Sequence, residues 1–236
     1  MVKRIPYESL HTSSHGWLES RFHFSFAEYH NPQNMNFGVL RVMNDDIIAP
    51  HSGFGTHPHQ NMEIFTYVLE GALTHEDSMG NKETLYAGDI QYLSAGSGIY
   101  HSEKNDGNTP LRLIQTWIVP NTKGLSPRYG SYKIEKELRH NQWQHLFGAD
   151  GSGALIGLYQ DANVYAIKQD KASTSEFILE NSRQAYLKVM EGNIVLNGIP
   201  IGLGDGVEII DEPHIRIEAS IDAHLLLIEM ARFTSD

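Results

Sequence analysis

Short apolar or alternating runs, each ended by Gly, Asn, Asp or Pro, set the main constraint on this chain. Asn36–Met43, Glu63–Leu69, Asp89–Leu93 and Leu111–Val119 form one series. Ala154–Tyr159, Val164–Lys168, Ala185–Met190, Val207–Ile210 and Leu225–Met230 form another. They are rich in Val, Ile, Thr, Tyr and Phe, which fit a pleated, half-buried surface. Turn residues stand between them, at Gly71, Gly88-Asp89, Asn105-Asp106-Gly107, Asn197-Gly198 and Gly204-Asp205-Gly206. Many short strands at even spacing predict a sandwich or barrel. Helical periodicity is thin, with room for one short helix within Tyr132–Phe147.

Glu70-Gly71 and Gly88-Asp89 are echoed by Glu191-Gly192 and Gly204-Asp205. Two copies of one barrel would leave such a trace. The Pro- and Gly-containing stretch Pro120–Gly130 suits a linker, which predicts domains over 1–128 and 129–236.

Composition narrows the chemistry. The chain has no cysteine, so a metal site must use His, Asp or Glu. Its formal charge of −11 and the lack of a Lys/Arg cluster argue against direct nucleic-acid binding. The N-terminal segment MVKRIPYESL has no apolar core of a signal peptide. No apolar run approaches the ~18 residues of a membrane helix. A cytoplasmic protein without membrane contact is the expectation.

Two motifs carry donor groups: Gly55-Thr56-His57-Pro58-His59 and Gly98-Ile99-Tyr100-His101-Ser102-Glu103. In a strand, residues i and i+2 share a face, so His57 pairs with His59 and His101 with Glu103. If the two strands are neighbours, three imidazoles and a carboxylate converge, as in sites that hold non-haem Fe(II) with open positions. Either motif alone arises readily by chance among thirteen histidines; the pair together does not. Glu63 competes for the carboxylate role on spacing. It has the parity to face the site, but a straight strand would carry it ~13 Å past His59.

His57-x-His59, with Glu63 and then His101 and Asn105, resembles the paired cupin motifs. The longer string is similar to the pirin family. It comprises Phe24–Tyr29, Leu40–Val42, Gly53–His59, Met62–Ile64, His75–Asn81, Gly88–Gln91, Ala95–Ile99 and His101–Glu103. These segments lie in order over roughly the first half of the chain. The resemblance implies an all-β bicupin: two stacked antiparallel jelly-roll barrels with few short helices, and metal in the N-terminal one alone. It implies the ligands His57, His59, His101 and Glu103, with Glu63 left to the pocket wall or the layer behind the ligands. It also implies one divalent ion, Fe(II) first, with Mn, Co, Ni, Cu or Zn as alternatives.

Some pirins cleave flavonols such as quercetin with O₂, which implies a dioxygenase with Glu103 as ligand and general base. Others bind a protein partner and use the iron as a redox sensor, which implies a regulatory module as the alternative. A cupin isomerase or hydrolase is a third class. No HxH or HxE appears in Glu191–Asp205, so the second domain reads as metal-free.

For the remaining residues the expectations are ordinary. His11, His15, His23, His30, His51, His140 and His145 belong to surface or loops. His75 and Asp77 belong to a turn, with Asp77 and Ser78 capping amides. Phe24, Phe26, Phe37, Phe54, Phe65, Tyr67 and Trp117 belong to the core. Gln115, polar within an apolar strand, needs a partner and is a pocket candidate.

Overall fold

A computed structural model describes residues 1–232. Among them the strands are β1 (Val2–Ile5), β2 (His11–Ser14), β3 (Leu18–Phe22), β4 (Leu40–Ile48), β5 (Ser52–His59), β6 (Glu63–Glu70), β7 (Ala72–Asp77), β8 (Lys82–Tyr86), β9 (Ile90–Ser94), β10 (Ile99–Asn105) and β11 (Leu111–Ile118). They continue as β12 (Arg128–Tyr132), β13 (Gln144–Ala149), β14 (Ile156–Leu158), β15 (Ala162–Gln169), β16 (Thr174–Ile178), β17 (Arg183–Glu191), β18 (Ile194–Leu196), β19 (Ile199–Ile201), β20 (Gly206–Ile210), β21 (His214–Ala219) and β22 (Ala223–Ala231). The helix expected within Tyr132–Phe147 is a single 3₁₀ turn, Lys136–Arg139. Among the described residues no helix is long and apolar enough to cross a membrane.

The chain forms two compact units. One is His11–Ile134; the other joins Met1–Leu10 to Glu135–Asp236. The first residues belong to the later unit because β1 pairs along β20, from Val2 against Ile209 to Ile5 against Gly206.

Within His11–Ile134, a seven-stranded sheet runs β12-β9-β6-β11-β4-β3-β2 and a four-stranded sheet runs β5-β10-β7-β8. The other unit repeats this order, β1-β20-β17-β22-β15-β13-β14 and β16-β21-β18-β19, except that β13 and β14 pair in parallel where β3 and β2 are antiparallel. The sequence echo is therefore structural. Gly88 donates to the Val68 carbonyl at 2.8 Å, and Gly204 to that of Val189 at 2.9 Å. Gly71 (φ 76°) and Gly192 (φ 83°) occupy matching turns. A Cβ on Gly71 would lie 2.6 Å from the Pro110 carbonyl, and one on Gly192 would strike that of Asp222.

The interior of His11–Ile134 is layered. One end is apolar: Leu18, Ile48, Val68, Leu73, Leu85, Leu111 and Leu113. The other end is closed by Ile64, Leu93, Ala95 and Ile99, with Met62, Trp117 and Tyr129 against them. Burying each such side chain contributes ~1.5–3 kcal/mol, enough to hold a polar layer between them. That layer is a single rung across neighbouring strands. Gln91 pairs with Thr66, Thr66 with Gln115, and Gln115 with Asn44.

Candidate metal centre

The rung faces Glu103, which the smaller sheet sends across the barrel. Gln91 Nε2 donates to Glu103 Oε1 at 2.6 Å, and Gln115 Nε2 to Oε2 at 2.7 Å. The Thr66 hydroxyl donates to Gln115 Oε1 at 2.6 Å, which fixes which way that amide points. The carboxylate is thus buried but fully engaged, as a buried charge must be. Gln115 is the pocket residue that its place in an apolar strand suggested.

The histidines arrive on adjacent strands. His101 of β10 lies directly opposite His57 of β5. Between His101 and Glu103 the register shifts, so that Glu103 stands opposite Phe54. Such a bulge re-aims side chains, and here it turns Phe54 toward the cavity. The ring centroids of His57, His59 and His101 lie 4.5–4.9 Å apart. One nitrogen from each lies within 4.8 Å of the other two. His57 Nδ1 donates to the Gly55 carbonyl at 2.8 Å, which leaves its Nε2 lone pair free for an ion.

Burial, and then the neighbouring imidazoles, push His59 down to about 4 and His101 down to about 3. Both are uncharged at neutral pH, so a cation displaces no proton from either. Both nitrogens of buried His101 also lack a hydrogen-bond partner. An orphaned, neutral imidazole beside two others is a donor set that fits a divalent transition metal.

Glu103 lines the same cavity as His57 and His59. In a second grouping its oxygen lies within 4.8 Å of nitrogens on His101 and His75. The sequence pattern places His75 in a turn. It is instead fully buried on β7, cross-strand from Glu103. Asp77 does cap the turn, accepting from the Met79 and Asn81 amides at 2.9 and 3.1 Å. The visible signal was the alternation His75-x-Asp77, which places both on one strand face like His101-x-Glu103.

Glu63 lies elsewhere. Ile64, Thr66 and Val68 face the interior of the barrel, so Glu63 points through the opposite face of β6 and accepts from the Tyr92 hydroxyl at 2.6 Å. The turn at Gln60-Asn61 reverses the parity that spacing alone suggested.

The cavity over the histidines measures about 170 Å³. Phe26, Phe54 and Trp117, read from sequence as core, are among its walls. Trp117 meets His59 edge-on at 4.8 Å. Past Phe26, Asn44, Asp46 and Phe54 lies an outer chamber of about 330 Å³, reached by Ser13, His15 and Glu28. Asn44 Oδ1 is buried without a partner. Burial lifts the Asp46 carboxyl to about 7, with Asp45 and Glu103 adding to the rise and the Ser20 hydroxyl opposing it. Two polar groups thus sit between aromatic walls where the chambers meet. His23, expected on the surface, is buried.

The second unit fills the corresponding positions with hydrocarbon. Val207, Leu187 and Leu227 form the rung that matches Gln91, Thr66 and Gln115. Ile215 and Ile217 match His101 and Glu103, and Phe177, opposite Ile215, matches His57. All of these pack in one apolar core.

Known families match this geometry. Residues 5–118 fit the family model described as Pirin. A pirin-like protein of Caulobacter vibrioides is 42% identical over 98% of this chain and its own full length. The chain belongs to the pirin family. Residues 146–230 of this pirin fit a quercetinase C-terminal cupin domain. A quercetin 2,3-dioxygenase of Escherichia coli K12 is 42% identical to it over 92% of this chain and 94% of that one. A Pseudomonas aeruginosa relative, 44% identical over 98% of this pirin and all of its own length, carries the same activity in its name provisionally. The crystal structure of the bacterial pirin YhhW from Escherichia coli in complex with nickel(II) superposes with a TM-score of 0.93. It is 39% identical, with 99% of this pirin and 100% of that chain covered.

Proposed function

We propose that this pirin is a metal-dependent dioxygenase that opens the heterocycle of a flavonol such as quercetin. The observation that carries the reading is the convergence of His57, His59 and His101, with Glu103 beside them, at the floor of an aromatic-walled cleft. These four residues would hold one divalent ion, with Fe(II) as our choice. That ion would supply Lewis-acid polarisation and the redox chemistry that dioxygen requires.

The chain's own residues would do the rest. Phe26, Phe54 and Trp117 hold a flat polyphenol and keep water from the reacting face. Asn44 Oδ1, a buried acceptor in want of a donor, takes a hydrogen bond from a phenolic hydroxyl. Glu103 accepts the proton of the reacting hydroxyl at a carboxylate oxygen, as general base. Gln91 and Gln115 keep that carboxylate aimed as its charge changes. The names of the relatives support the same substrate class.

An oxygen-electrode trace with Fe(II)-loaded protein and quercetin is the test. Oxygen uptake matched to quercetin loss is expected. Conversion without uptake would mean a Lewis-acid isomerase or hydrolase. Neither uptake nor conversion would leave a protein that binds metal and acts through a partner.

A further inference from the structure

His101 carries two buried ring nitrogens, and neither has a hydrogen-bond partner. A metal ion can satisfy one of them. The other remains a buried polar group, which is costly if left alone. Ligand histidines nearly always bond through their second nitrogen, which fixes tautomer and ring orientation. Some group near His101 must therefore accept that bond.

His75 fits. It lies diagonally across the β7–β10 pair, next to Asp77, the cross-strand partner of His101. The two rings are 5.5 Å apart between centroids. A nitrogen of each lies within 4.8 Å of the other. His75 is tethered to Asp77: its Nε2 lies 3.4 Å from Asp77 Oδ2. Asp77 is immobilised by two backbone amides and by Asn81 Nδ2 at 2.8 Å. Since a carboxylate only accepts, the His75 proton sits on Nε2, and Nδ1 keeps its lone pair. That Nδ1 is also buried and unpartnered. The ring is pressed flat against Tyr129 at 4.5 Å and 10° between planes. Two unpartnered nitrogens, one needing an acceptor and one being an acceptor, thus lie buried on neighbouring rings inside the barrel.

We propose that His75 is the positioning residue of the metal centre: its Nδ1 accepts the free N–H of His101, completing a chain Asp77–His75–His101 that ends at the ion. The chain holds His101 in the tautomer that presents a lone pair to the metal. It also strengthens that nitrogen as a donor, because the far N–H is bonded to a group itself anchored on a carboxylate. The inference rests on the proposal that His57, His59 and His101 bind a metal.

The test uses the two amides that imitate opposite sides of an imidazole. His75→Asn places a carbonyl near the Nδ1 position and gives up the bond to Asp77. His75→Gln reaches Asp77 and gives up the acceptor facing His101. His75→Leu gives up both. Nickel(II) affinity of the full chain, read by calorimetric titration, is expected to stay within about threefold of wild type in the Asn variant. It should fall about 10–100-fold in the Gln and Leu variants. In zinc-loaded protein, a protected ring N–H proton resonance of His101 should persist with Asn and vanish with Gln. Melting curves of the metal-free proteins report whether each variant folds; if Leu does not, the Asn–Gln pair decides.

The opposite order, Gln retaining affinity and Asn losing it, would show that His75 merely braces the Asp77 turn and would overturn the proposal. Equal affinity in all variants, or equal loss in all, would overturn it too. Failure of the wild-type protein to bind nickel at all would remove the metal reading itself, a different result from any of these.

Discussion

Glu103 and Gln115 are joined across the barrel by a 2.7 Å hydrogen bond from the amide Nε2 to the carboxylate Oε2. The same amide is oriented by Thr66, so its donor face is always toward the acid. Replacing Gln115 with Leu leaves one oxygen of a buried carboxylate without its donor. A hydrogen bond to a charged group contributes ~1.5–3 kcal/mol. The expected result is roughly a 10- to 100-fold fall in quercetin turnover per bound metal, together with a fall of several degrees in melting temperature. Turnover equal to wild type would exclude a role for the amide in setting the base.

Metal content follows from the unequal barrels. His57, His101 and Glu103 are matched in the second unit by Phe177, Ile215 and Ile217, so we expect one equivalent of divalent ion per chain by elemental analysis. His101→Ala should lose both the bound metal and oxygen uptake. Full occupancy in that variant would take His101 out of the ligand set. Chelation should lower the melting temperature, and nickel should restore it, because an ion bound only by the folded state stabilises it by mass action.

Acid should destabilise the protein partly through His224. Burial, with Lys168 and Arg139 adding to it and Glu191 opposing, holds His224 at about 4. The unfolded chain protonates this group near its ordinary value of ~6.5. Between those limits the unfolded state binds more protons, so stability is full above pH ~6.5 and falls as the pH drops toward 4. The 2.5-unit difference corresponds to about 3 kcal/mol. His224→Gln should flatten the dependence of unfolding free energy on pH across that window by an amount of this order. An unchanged slope would show that His224 does not titrate there. The comparison cancels the parallel contributions of His59 and His101.

Asn44 offers a test of substrate recognition. Asn44→Leu should weaken binding of a hydroxylated flavonol about 10-fold, the worth of one hydrogen bond in a dry site. Binding of an analogue lacking the hydroxyl should hardly change. Fluorescence quenching of the cleft tryptophan, Trp117, can follow both ligands. Equal losses would mean that Asn44 shapes the cavity and reads no hydroxyl.

The turn glycines are unforgiving. Ala at Gly71 would combine a positive φ with a Cβ 2.6 Å from the Pro110 carbonyl oxygen. We expect a loss of several kcal/mol in unfolding free energy, since both the left-handed backbone and the overlap are penalised. Denaturant titration measures it, and a loss below about 1 kcal/mol would contradict the close approach.

Much of this architecture is legible in the sequence. Alternation and turn residues announced the strands, because one face of each is buried and the period is two. The pair of motifs announced the histidines, because both strands put i and i+2 on one side. What the pattern could not announce was pairing between distant strands. Gln91, Thr66 and Gln115 are ordinary polar residues until the register aligns them into one rung. His75 hid for the same reason: its neighbour Glu103 is 28 positions away along the chain but one strand away in space. Glu63 misled because counting parity assumes a continuous strand, and the chain reverses between β5 and β6. Phe54 and Trp117 looked like core because an aromatic wall around a cleft has the same local signature as an aromatic core.

The pairing of β1 with β20 has a bearing on how the polypeptide matures on the ribosome. Residues 2–5 leave the ribosome well ahead of their hydrogen-bonding partner at 206–209, which follows some two hundred residues later. The stretch 11–134 has every partner it needs within itself and can close early. At a synthesis rate of ~5–20 residues per second, the leading strand waits ten seconds or more with an open edge. The later unit is therefore completed only after the half that carries the histidine cluster has been able to close.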